Sequence, residues 1–77
     1  MFTITKEFTI GSFYFADFMR LLGRYGVRFD VGEEWFYVDE VNPDRKHYCR
    51  NVKVYATRKK MGEIYDAVSI LVNYHFK

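Results

Sequence analysis

Trp35-Phe36-Tyr37-Val38, then Asp39-Glu40, then Asn42-Pro43-Asp44-Arg45, then a basic alternating run from His47 to Ala56: this is the stretch that decides the fold. An apolar arm, turn residues and a second arm of period two predict a β-hairpin. Side chains alternate across a strand, so the return arm puts Val52, Val54 and Ala56 on one face and Asn51, Lys53 and Tyr55 on the other. The first arm carries large apolar side chains on both faces. One face can fill a core, and the other has to be accounted for separately. A one-residue slip exchanges the two. In one register Phe36 and Val38 join Val52 and Val54 in the core, Glu40 falls near Arg50, and Trp35 and Tyr37 lie with Lys53 and Tyr55 outside. In the alternative Trp35 and Tyr37 go inside, leaving Phe36 and Val38 beside Lys53. The first register is favoured, because tryptophan and tyrosine each have a polar end that suits a half-wet position.

Upstream of the hairpin, Val27, Phe29 and Val31 alternate with Arg28 and Asp30, which predicts a short strand ending at Gly32-Glu33-Glu34. Residues 2 to 10 alternate too, with Phe2, Ile4, Phe8 and Ile10 on one face and Lys6 as the exception. Ser12 is the expected N-cap of a helix from about Phe13 to Tyr25, closed by Gly26, with Asp17, Arg20 and Arg24 as its polar stripe. Downstream, Thr57 caps a last helix running to about Phe76. Met61, Ile64, Tyr65, Val68, Leu71, Val72 and His75 share one side of it, opposite Glu63, Asp66, Ile70 and Asn73. The order β-α-β-β-β-α predicts an α+β two-layer sandwich: a mainly antiparallel four-stranded sheet with both helices on one face. The second face would be open, displaying Thr3, Thr5, Arg28, Asp30, Trp35, Tyr37, Lys53 and Tyr55.

The 77 residues form one compact domain, small enough that most apolar side chains must be buried or shared with a partner. Aromatics make up 21% of them, an excess that suits either a core or an interface. Cys49 is the only cysteine, so no intrachain disulfide can form, which points to a reducing compartment. The first residues lack the pattern of a secretory signal, and no run approaches the roughly 18 apolar residues of a membrane span, so a cytoplasmic location is expected. Net charge is +2, with acids gathered in residues 30–44 and bases in 45–60.

Catalytic constellations are sparse. Ser12 and Ser69 read as a cap and a mid-helix residue. His47 and Cys49 share a strand face, but no second cluster exists to complete a tetrahedral metal site. The faint nuclease pattern Pro43-Asp44, Asn51-Val52-Lys53 has an amide where a metal ligand would need a carboxylate. The paired acids Glu33-Glu34 and Asp39-Glu40 read as solvated strand ends. The glycines are scattered rather than gathered into a phosphate loop. No enzyme, no metal and no cofactor is expected.

The basic cluster is the stronger signal. Arg58, Lys59 and Lys60 open the last helix, where cations oppose the macrodipole at roughly 0.3 to 1 kcal/mol each before screening. An anion held there, with Arg45, Lys46, Arg50 and Lys53 nearby in the chain, would compensate. The plainer reading is that Glu63, Asp66 and solvent suffice.

The run Tyr37 to Pro43 with His47, then Val52-Lys53-Val54-Tyr55 and Arg58-Lys59-Lys60-Met61 on a helix, resembles a double-stranded-RNA-binding domain over less than half the chain. Strand, loop, strand and helix-opening lysines follow in that order. The resemblance implies a loop in a minor groove and lysines on phosphates across the major groove. The strand that such a domain places before the last helix is missing, as is the glycine before the loop proline.

Two functions follow from these features. One is a non-enzymatic protein-binding module using Trp35, Tyr37, Lys53 and Tyr55. Such modules commonly act as inhibitors or adaptors, for example phage or mobile-element proteins that block a host nucleic-acid-processing or defence complex. The other is nucleic-acid binding through Arg45, Lys46, Arg50, Arg58, Lys59 and Lys60, with aromatics stacking on bases. A homodimer through the same aromatics is a third use of the surface.

Overall fold

The computed structural model describes residues 2–75, with side chains for residues 2–72. Strand β1 (Thr3–Gly11) leads through a 3-10 turn (Ser12–Tyr14) into helix α1 (Phe15–Tyr25). Strands β2 (Arg28–Val38) and β3 (Lys46–Thr57) form the hairpin, and helix α2 (Arg58–His75) follows. The fold is α+β with an antiparallel sheet in the order β1-β3-β2.

The expected four-stranded sheet and its β-α-β-β-β-α order are corrected to three strands and β-α-β-β-α. The segments around Phe29 and around Trp35 belong to one strand, because Gly32-Glu33-Glu34 does not end it. Val31 pairs with Val52 and Glu34 with Arg50, so Gly32 and Glu33 together stand opposite Asn51 as a β-bulge. Glycine suits that position: a Cβ on Gly32 would come 3.0 Å from the Asn51 carbonyl oxygen. The bulge also resets the alternation. Before it the odd-numbered Phe29 and Val31 share a face with Val54 and Val52. After it the even-numbered Phe36 and Val38 lie on that same face, opposite Tyr48 and Lys46.

The core lies between this face and both helices. Phe8, Ile10, Val52, Val54 and Ala56 of the sheet cluster with Tyr14 of the turn, Phe18 and Leu22 of α1, and Met61 and Ile64 of α2. Lys6, paired with Val54, is the polar exception at the sheet edge, as its break in the alternation implied. Both helices therefore cover one side of the sheet, as the two-layer reading requires.

Several local expectations hold and two do not. Gly26 ends α1 in the left-handed conformation, φ 64°, with its N–H on the Leu22 and Gly23 carbonyls. The Lys60 N–H donates to Thr57 Oγ1 at 3.3 Å, the capping geometry expected of that threonine. The Asn42-Pro43-Asp44-Arg45 turn closes with the Arg45 N–H on the Asn42 carbonyl at 2.9 Å. Ser12, by contrast, does not cap a helix. It begins the 3-10 turn, and its hydroxyl donates to Glu34 Oε2 at 2.9 Å, so α1 starts at Phe15 rather than Phe13. Tyr65 is half-exposed although its ring meets Phe8 at 5.0 Å, and the side chain of His75 lies outside the described residues.

The larger correction concerns Phe36 and Val38. They face the helix side, as the favoured register placed them, yet remain 49% and 47% exposed. The layers differ in length. Strand β3 spans roughly 40 Å at 3.3 Å per residue, whereas the 18 residues of α2 span about 27 Å. Strand β1 stops at the Gly11–Cys49 pair, so Lys46–Tyr48 and the β2 residues beside them project as a two-stranded arm beyond the helices. The molecule is 47 Å long, and its radius of gyration of 13.6 Å exceeds the roughly 11.5 Å of a compact chain of this length. Its accessible surface of 5938 Å² likewise exceeds the roughly 5,000 Å² expected for its mass.

Candidate binding face

The side of the sheet away from the helices carries Trp35, Tyr37, His47, Asn51, Lys53, Tyr55, Arg28 and Asp30, because odd positions of β3 and their partners on both neighbouring strands point there. The four residues expected to form a face, Trp35, Tyr37, Lys53 and Tyr55, do share it. Glu40, expected near Arg50, lies instead in the 39–45 loop, and Glu34 takes the place opposite Arg50.

The aromatic side chains on this face are held by specific contacts. The Trp35 indole donates from Nε1 to Asn51 Oδ1 at 3.0 Å, and the same oxygen accepts from Thr9 Oγ1 at 3.3 Å. One amide oxygen thus ties β1 and β2 to the central strand. Trp35 and Tyr37 have ring centroids 6.0 Å apart, and Tyr37 stacks on His47 at 5.0 Å and 24°. His47 in turn meets Asp39 Oδ2 through Nε2 at 2.9 Å. Asp39 Oδ1 accepts from the N–H groups of Val41 and Asn42 at 2.8 and 3.1 Å, so this carboxylate organises the start of the loop. The hydrogen bond from His47, followed by those from Asn42 and Val41, lowers the Asp39 pKa to about 2.

At the other end of the face, Tyr55 donates its hydroxyl to Asp30 Oδ2 at 2.8 Å, and the Arg28 guanidinium sits 4.6 Å above the Tyr55 ring. The hydrogen bond to Asp30 raises the Tyr55 pKa. Cys49, opposite Trp35, is buried, and desolvation pushes its thiol up, so it is a packing residue beneath the aromatics. Trp35 and Tyr37 are 40% and 50% exposed: each has one side held and the other free.

The basic residues do not assemble. Lys46 lies on the helix side of the arm, its ammonium 4.9 Å from the Phe36 ring centroid. Arg50 donates to the Gly32 carbonyl at 3.1 Å and covers the Phe15 ring at 5.6 Å. Lys60 donates through Nζ to the Tyr25 carbonyl at 3.2 Å, so its charge meets the C-terminal end of α1, where a cation is favoured. Of the three charges that oppose the dipole at the start of α2, that of Lys60 is compensated by the neighbouring helix. Among the lysines and arginines of the return arm, Lys53 alone faces the open side. Arg45 begins the arm at the loop, and Arg58 and Lys59 lie exposed at the far end of β3, roughly 40 Å from Lys46.

Two contributors were not singled out in advance as site residues. Asn51 was placed on this face, but its role as a shared acceptor depends on the three-strand register. His47 read as half of an incomplete metal pair; only the folded loop brings Asp39 to it. Among the described residues no three His, Cys, Asp or Glu side chains are grouped to hold a metal ion, and no helix is long and apolar enough to cross a membrane. Compared with protein-family models, curated proteins and solved structures, the chain shows no significant match.

Proposed function

We propose that this chain is a protein-binding module that acts by occupancy, as an inhibitor or adaptor does, through the helix-free face of its sheet. The observation that carries the reading is the row Trp35, Tyr37 and His47. These aromatic rings are each fixed on one side by a hydrogen bond or a stack and open on the other, with Lys53, Arg28 and Asp30 farther along the same face. Preorganised aromatics lose little conformational freedom on binding, and large rings with polar ends inside a charged rim are the composition of interface hot spots. The half-exposed Trp35 and Tyr37 rings offer about 200 Å² at roughly 150–250 Å² per aromatic side chain.

Nucleic-acid binding is the weaker reading. It needs consecutive phosphates to meet consecutive cations, and the bases here are divided among the two sheet faces and both ends of β3, with Lys60 and Arg50 engaged internally.

Partner capture with the full chain as bait, compared with Trp35→Ala and Tyr37→Ala baits, tests the proposal. A partner that survives nuclease treatment and is lost with either variant is the expected result. Retention of that partner by both variants refutes the assignment of the face. Capture that instead vanishes with nuclease or moderate salt, and is abolished by Lys59→Glu and Arg58→Glu, refutes protein binding in favour of nucleic acid.

A further inference from the structure

The opposite side of the projecting arm raises a separate question. Phe36 and Tyr48, with ring centroids 5.7 Å apart, lie on the helix side of the sheet and are half-exposed, with no helix over them among the described residues. Val38 and Lys46 follow toward the tip, and Glu34 and Arg50 precede them toward the base. The arm therefore forms the floor of a notch, and the turn carrying Phe13, 79% exposed, stands at its inner end.

We infer that a second copy of this chain fills the notch, giving a two-fold dimer in which the arms lie antiparallel, helix side to helix side. Three observations favour a second copy as the occupant.

The dimensions are self-complementary. Two sheets pack about 10 Å apart, close to the depth that one helix layer adds to a sheet. An incoming arm therefore occupies the same layer as the helices it meets, and its tip ends against the turn at Phe13. The symmetry makes the fit reciprocal.

The chemistry along the arm is complementary when reversed. An antiparallel overlay sets Phe36 against the partner's Val38 and Tyr48 against the partner's Lys46, an apolar pair and a cation over a ring. The same overlay carries Asp44 of the loop toward Arg50 at the base of the facing arm, where the guanidinium also holds the Gly32 carbonyl, and sets Glu40 near Glu34, a like-charge contact that solvent screens at this exposed rim; it brings Val41, 94% exposed at the tip, toward Phe13. The net charge of +2 opposes self-association little.

The area suffices for a weak dimer. From the exposed fractions of Phe13, Phe36, Val38, Val41 and Tyr48, the apolar surface available is roughly 600 Å² per protomer, taking 150–250 Å² for an aromatic side chain. That is near the lower limit of about 1,200 Å² in total for a specific interface, the size range of weak associations. It also accounts for most of the surface this molecule exposes beyond that of a compact monomer of its mass. The outer edge of β2 is a poorer route to a dimer. A two-fold pairing there would centre on Glu33 and its symmetry mate, setting like charges face to face across a bulge.

This inference does not rest on the partner-binding reading, because the arm has two faces and the dimer uses the one away from Trp35 and Tyr37. Sedimentation equilibrium of the full chain from about 1 to 500 μM, a range that brackets weak association, tests it. The expected mass rises from 9.3 kDa to twice that value across the series. Phe36→Asp and Val38→Asp each weaken association at least about tenfold, as truncation of a central contact does, while Tyr37→Ala leaves it unchanged. Far-ultraviolet circular dichroism confirms that the variants fold, as exposed positions allow. In a mixed-isotope sample, intermolecular nuclear Overhauser contacts are expected between Phe36 ring protons and Val38 methyls. A wild-type chain still monomeric at 500 μM overturns the proposal. So does a dimer that survives both aspartate variants, or one whose intermolecular contacts come from Trp35 and Tyr37.

Discussion

Replacing Phe18 and Phe36 by alanine, one at a time, removes the same side chain from two places that the sequence alone would treat alike. Phe18 is fully buried, its ring 5.6 Å from that of Phe8, and it sits at the centre of the contact between α1 and the sheet. Deleting a buried phenylalanine costs about 3–5 kcal/mol, since the transfer energy is lost and the cavity collapses only in part. Phe36 is half-exposed, touching Tyr48 and Lys46, so its removal forfeits about 1 kcal/mol and leaves no cavity. A domain of 77 residues is expected to be stable by about 4–12 kcal/mol. Phe18→Ala therefore takes a large part of the total and lowers Tm by more than about 12 °C. Phe36→Ala lowers it by about 4–8 °C, at 4–8 °C per kcal/mol for a domain of this size. The assay is urea unfolding followed by far-ultraviolet circular dichroism at low micromolar protein, where mass action contributes least. At higher concentration the penalty for Phe36→Ala grows if the arm is shared between protomers, while that for Phe18→Ala does not. Equal penalties for the two variants in dilute solution would refute the placement of the arm outside the core.

Two further outcomes follow from local geometry. The folded-state pKa of Asp39 is lowered from 3.8 to about 2, so the carboxylate contributes stability above pH 4 that is lost as pH falls through 2. The Val41 and Asn42 amides should therefore lose hydrogen-exchange protection over that interval, and Asp39→Asn should shift or abolish the transition; an unchanged profile contradicts the loop geometry. Thr57→Ala removes the acceptor for the Lys60 N–H and should cost about 1 kcal/mol in denaturant unfolding, whereas Thr57→Ser should cost little.

Legibility in the sequence followed the range of the interactions involved. The alternation of β1 and β3, the glycine after α1, the threonine before α2 and the Asn42–Arg45 turn all rest on contacts within a few residues, and all were readable. Ser12 departs from the N-cap expectation because a serine before a helical pattern has a local use, and the competing acceptor, Glu34, comes from a strand 22 residues away. Lys60 looked like an unfavourable charge for the same reason. The Tyr25 carbonyl that receives it belongs to another helix.

The hairpin divides along the same line. Period-two alternation and the polar ends of tryptophan and tyrosine were enough to place Trp35 and Tyr37 on one side of the sheet and Phe36 and Val38 on the other, because the direction of a side chain is a property of its own strand. Whether a face is covered depends on how far a different layer extends over it. The bulge at Gly32-Glu33 joins two apparent strands into one, β1 ends at Gly11 and α2 is shorter than the strand it packs on. Only the assembled tertiary structure combines these lengths, and their mismatch turns two apparent core residues into the exposed floor of an arm.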